Sequence, residues 1–87
     1  MIAVELSFMS TDERMAARPA HRKNLERWHR EGTLLAAGPW SDDSGALLIF
    51  RADESEVEKL MTGDSYFATR GVTVTSIREW SPVVSPT

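Results

Sequence analysis

The run Ala46-Leu47-Leu48-Ile49-Phe50 limits what this 87-residue chain can fold into more than any other stretch. An unbroken apolar segment this short, entered from the turn Ser41-Asp42-Asp43-Ser44-Gly45, reads as a central strand buried on both faces. In a small α+β domain the helices cover one face of the sheet. The other face then needs a layer of its own. At 9.7 kDa the chain buries roughly 60–65% of its unfolded surface, enough for one thin core. A second copy packed on the open face supplies the missing layer, so a homodimer is expected.

The flanking segments fit this frame. Ile2, Val4, Leu6 and Phe8 alternate with Ala3, Glu5 and Ser7, the period of a strand with one buried face. Residues 13–31 are helical in character, but Pro19 is poorly tolerated inside a helix and well tolerated in a first turn. The main helix is therefore expected to begin near Pro19, after a looser turn or short helix over Asp12–Ala17. His21, Leu25 and Trp28 then share one helix face, and Gly32 follows as the C′ residue. Thr33–Trp40 reads as a second strand ending at Gly38-Pro39, in a hairpin with the central strand. Asp53 with Glu56 forms a capping box for a second helix carrying Val57, Leu60 and Met61. Asp64 opens a short helical turn that Gly71 closes, and Val72–Trp80 is the last strand. The order β-α-β-β-α-β predicts a ferredoxin-like α+β sandwich with a four-stranded antiparallel sheet. It forms a single domain over 1–82 with a C-terminal tail over 83–87.

Composition narrows the function. Ten basic against thirteen acidic side chains give a net charge of −3, which disfavours a phosphate-neutralising surface and hence nucleic acid as a partner. No apolar run approaches the ~20 residues of a membrane-spanning helix. The first residues lack the basic n-region of a signal peptide. The chain has no cysteine, so disulfides, thiolate nucleophiles and Cys-ligated metals are excluded, and the cytoplasm is the expected compartment.

His21 is the leading candidate for chemistry, because an imidazole moves protons at neutral pH. The alternative is a core histidine bonded to a backbone carbonyl. Asp64 is a candidate partner that would orient the ring, or a helix N-cap, or both. Trp28 and Trp80 are candidate aromatic pocket walls as well as core or interface anchors. Arg18 can meet a substrate carboxylate or phenolate, or simply face solvent. Gly38 and Pro39 end a strand where backbone groups reach a pocket, and equally serve as a plain terminator. His29 sits among charges and reads as a surface residue. His21, Glu26 and His29 do not share a face, so no metal site is expected. Ser65 lacks a nucleophile-elbow context.

Several landmarks together resemble the YciI-like (YCII-related) family. They are Arg18-Pro19-Ala20-His21, Gly32-Thr33-Leu34-Leu35-Ala36-Ala37-Gly38-Pro39, Asp64-Ser65-Tyr66-Phe67, Gly71-Val72 and Trp80. The resemblance spans nearly the whole chain. It implies a dimeric α/β-barrel fold, a His and an Asp acting together in a pocket, and kinship with proteins that break down chlorinated or hydroxylated aromatics, a dehydrochlorinase among them. Muconolactone isomerase is a structurally related fold. This chain departs from the family in having Ser65 where a proline usually follows the aspartate, which relaxes the turn that aims Asp64.

Two functions follow as expectations. One is a small enzyme binding a cyclic oxygenated molecule, with His21 and Asp64 moving a proton in an isomerase- or lyase-type step such as elimination of HX. Proton transfer needs no cofactor, and no Gly-rich phosphate loop is present. The other is a non-catalytic dimeric module that binds a metabolite or a protein.

Overall fold

The computed structural model describes residues 1–85. Its elements run β1 (Ile2–Phe8), α1 (Asp12–Arg30), β2 (Leu34–Pro39), β3 (Gly45–Phe50), α2 (Glu54–Thr62), a short 3₁₀ helix (Ser65–Ala68) and β4 (Val72–Glu79). The four strands form one antiparallel sheet in the order β2-β3-β1-β4. This is the expected ferredoxin-like sandwich, with the apolar run of β3 in an interior position. Of the expected tail, positions 86 and 87 lie outside the described residues.

Register sorts the strand residues between the two faces. Ile2, Val4 and Leu6 pair with Phe50, Leu48 and Ala46, and all face the helices. Trp28 from α1, Val57 and Met61 from α2, and Tyr66 close over them as one core. Each large apolar side chain buried there contributes about 1.5–3 kcal/mol relative to exposure. On the opposite face Leu47 and Ile49 pair with Glu5 and Ala3. Towards β4 that face turns polar, with Arg78 Nη2 3.4 Å from Glu5 Oε1. Among the described residues no helix is long and apolar enough to cross a membrane.

One expectation is corrected. α1 does not start near Pro19; it is a single helix from Asp12 with Pro19 inside it. Proline removes the ladder hydrogen bond to the residue four back, here Met15, at a cost of about 3 kcal/mol. Contacts outside the helix hold the first turns nonetheless. Thr11 caps them, its Oγ1 accepting from the Arg14 amide at 3.1 Å and donating to the Arg70 carbonyl at 2.7 Å. Arg14 is 3% exposed and is anchored to the β1–α1 and β2–β3 connections. Tertiary packing thus overrides local propensity. The capping box at α2 forms as expected, with Asp53 Oδ1 accepting from the Glu56 amide at 2.8 Å.

Two glycines permit close approach of the backbone. A Cβ at Gly45 would collide with the Leu6 carbonyl on the neighbouring strand. Gly71 has φ +99, and a Cβ there would collide with the Thr11 hydroxyl.

Candidate active site

The inner face of α1 carries Arg14, Arg18, His21, Leu25 and Trp28 at i, i+4, i+7, i+11 and i+14. His21 is buried, at 6% exposure. The connection from α2 to β4 folds back toward it. There Asp64 is extended (φ −120, ψ 109) and caps the 3₁₀ helix, its Oδ1 accepting from the Tyr66 amide at 3.0 Å. Its second oxygen, Oδ2, lies 2.7 Å from His21 Nδ1. One carboxylate thus caps the turn and meets the imidazole, with Ser65 following it in the chain.

Aromatic rings fix the imidazole plane. Tyr66 stacks on it, and Phe67 meets it edge-on at 5.2 Å and 86°. Burial pushes the His21 pKa below the ordinary histidine value; the Asp64 contact opposes the shift, and the Arg22 charge adds to it. The ring is thus neutral at pH 7. The aspartate selects the tautomer in which Nδ1–H donates, and Nε2 keeps its lone pair. Among the described residues Nε2 has no hydrogen-bond partner.

His21 lines a half-open cleft with about 370 Å³ of empty space, its mouth included. Apolar walls come from Phe8, Leu25, Pro39 and Leu48. Arg18, Gly38 and Pro39 line it as well, so the fold brings these sequence candidates together with His21. Asp64 stands behind the imidazole instead of in the cleft wall. Trp28 is elsewhere, packed in the core against Phe50 at 5.9 Å. Trp80 is also remote, half-exposed after β4 and bonded to Met1, its amide 2.7 Å from the Met1 carbonyl. In this chain neither tryptophan is a cleft wall. His29 is exposed, with Nδ1 2.8 Å from the Leu34 carbonyl. Among the described residues there is no group of three or more His, Asp or Glu able to hold a metal ion.

Sequence reasoning passed over Arg14, Asp43 and Tyr66. A usable signal existed for the first. The face of His21 and Leu25, continued back through Arg18, reaches Arg14. Starting the helix at Pro19 cut that face short.

A four-stranded antiparallel sheet backed on one face by two helices, with a buried His–Asp pair at a cleft, defines a ferredoxin-like α+β domain with a candidate acid–base site. Residues 2–81 match the YCII-related domain model, and the chain belongs to that family. No curated protein matches it. Among solved structures it is similar to 5-chloro-2-hydroxyhydroquinone dehydrochlorinase from Burkholderia phenoliruptrix AC1100, solved in complex with 2,5-dihydroxybenzoquinone. The two share 16% identity and superpose with a TM-score of 0.56 over 93% of this chain and 94% of the other. At that identity the likeness is one of fold.

Proposed function

We propose that the protein is a small enzyme acting on a cyclic oxygenated molecule by His/Asp proton transfer. The observation that carries this reading is the 2.7 Å contact between His21 Nδ1 and Asp64 Oδ2, set behind a neutral imidazole that lines a cleft. Nε2 takes a proton from a carbon or hydroxyl of the bound ring. The Asp64 carboxylate stabilises the imidazolium that forms. In an elimination, the electrons of the broken C–H bond form the new π-bond and X leaves with its own pair as halide. In an isomerisation, the imidazolium returns the proton at another atom. Kinship of fold with a dehydrochlorinase favours elimination.

The protein is expected to act as a homodimer in the cytoplasm. A partner copy would cover the sheet face that carries Leu47 and Ile49. Sedimentation at micromolar concentration should give a dimer mass, and a folded monomer would end that part of the reading.

Turnover is tested on chlorinated and hydroxylated quinols, 5-chloro-2-hydroxyhydroquinone included, by halide release and by deuterium exchange from solvent. Wild type should turn over at least one of them. His21→Gln, once shown to be folded, should lose about 10²–10⁴-fold of that activity, the usual contribution of a general base. Full activity in folded His21→Gln, or no turnover and no exchange across the panel, overturns the proposal.

A further inference from the structure

Tyr66 ends in a polar group that its own packing does not use. The residue is 2% exposed. The His21 imidazole stacks on its ring, Phe8 meets it edge-on at 6.1 Å and 81°, and Phe67 does so at 6.3 Å and 84°. A ring without the hydroxyl would make all three contacts equally well. The hydroxyl itself forms no hydrogen bond with any described residue. Buried tyrosines ordinarily give that group a partner.

The hydroxyl opens on the cleft of His21. Tyr66 and Arg14 both line that cleft, and the phenol oxygen is near enough to the guanidinium to favour its charged form. Among the described residues, Arg14 Nη1 is the buried side-chain polar atom that has neither a partner nor solvent. The Tyr66 oxygen also lacks a partner in the chain, so it has open space before it. Because phenol and imidazole are stacked, a single small guest can meet both.

We infer that Tyr66 is a specificity-determining residue whose hydroxyl hydrogen-bonds an oxygen of the cleft's ligand, so that the site selects a ring carrying a hydroxyl or carbonyl over a hydrocarbon ring of the same shape. The group both donates and accepts, and so it serves a phenol, an alcohol or a ketone. A guest without such an oxygen leaves the hydroxyl unpaired and shut off from water, which disfavours that guest. The inference rests on the proposed function only in placing the ligand in this cleft. It assigns one protein atom to the ligand's oxygen and leaves proton transfer to His21.

Phenol and toluene are close in shape and differ by the hydroxyl, and they serve as probes on the intact protein. Their dissociation constants are read by NMR titration in wild type and in Tyr66→Phe, which keeps the ring stack. Comparing the ratio of the two constants between the proteins cancels the greater hydrophobicity of toluene. The ratio should favour phenol at least about fivefold more in wild type than in the variant, as one neutral hydrogen bond would give. In wild type, phenol should also move the Tyr66 Cζ resonance farther than toluene does, and this decides the matter should the variant fail to fold. Equal ratios in the two proteins, no phenol binding, or a Cζ resonance that responds equally to both probes overturns the inference. Since the readout is binding without turnover, full activity in His21→Gln would leave this result intact, and equal ratios would leave the proton-transfer reading standing.

Discussion

The Tyr66 ring lies flat against the His21 imidazole, centroids 4.0 Å apart and planes 10° from parallel. Asp64 places both partners, one oxygen on the ring nitrogen and the other on the Tyr66 amide. Stack and hydrogen bond therefore lock the imidazole plane together. Tyr66→Phe should keep the stack and shift stability by less than about 1 kcal/mol, since no hydrogen bond of the Tyr66 hydroxyl is lost. Tyr66→Ala should cost about 3–5 kcal/mol, the usual penalty for emptying a buried aromatic site. Urea unfolding of the two variants checks the contrast; equal losses would show that the ring itself contributes nothing.

The depressed pKa of His21 links the site to stability. The folded protein binds fewer protons at this position than the unfolded chain, so stability rises with pH across the window where they differ. The contribution is fully present above the ordinary histidine value of about 6.5 and is lost as pH falls from there through the lower folded value. Unfolding midpoints measured from pH 7.5 down to pH 5 should fall less steeply in His21→Gln than in wild type. An NMR titration should place the imidazole below free histidine, and a value above it would contradict the burial argument.

Gly71 and Gly63 make an internal comparison. Gly71→Ala forces a side chain into φ +99 and against the Thr11 hydroxyl that caps α1. A loss of about 1–3 kcal/mol is expected from a strained position of this kind. Gly63 has φ −77, and a Cβ there meets only ordinary contacts at 3.6 Å. Gly63→Ala should be neutral or stabilising by up to about 1 kcal/mol. Thermal melts of the pair decide, and equal effects would remove the conformational argument.

Pro19→Ala should restore a ladder bond in the middle of α1 and stabilise the protein by about 1–3 kcal/mol, part of the helix-interior penalty of proline. Chemical denaturation reads it directly. A destabilised variant would mean that the ring makes packing contacts worth more than the missing bond.

The fold could be read from periodicity because its determinants are local. Alternation in β1, the unbroken run in β3, the Asp53 cap and Gly32 beyond α1 each act within a few residues of sequence. The His21–Asp64 contact spans 43 positions, and no spacing rule foretold it. It was reached through the resemblance of the whole chain to a family. Arg14 escaped notice because its partner Asp43 lies on a hairpin turn 29 positions away. The helix face of His21 and Leu25 reaches back through Arg18 to Arg14 only when the helix is started at Asp12, ahead of Pro19. Pro19 misled for the opposite reason, since its local preference is strong and the fold overrules it. The tryptophans suggested pocket walls by their ring chemistry, but where a ring ends up depends on strand order, which composition does not encode.

A single aspartate begins the turn before β4 and aims the imidazole, so the two duties share a fate. Replacing the carboxylate, as in Asp64→Asn, disturbs the backbone and the ring together. Catalytic tuning at this position is therefore tied to the integrity of the loop, and variants that adjust reactivity alone must be sought among the side chains around the ring.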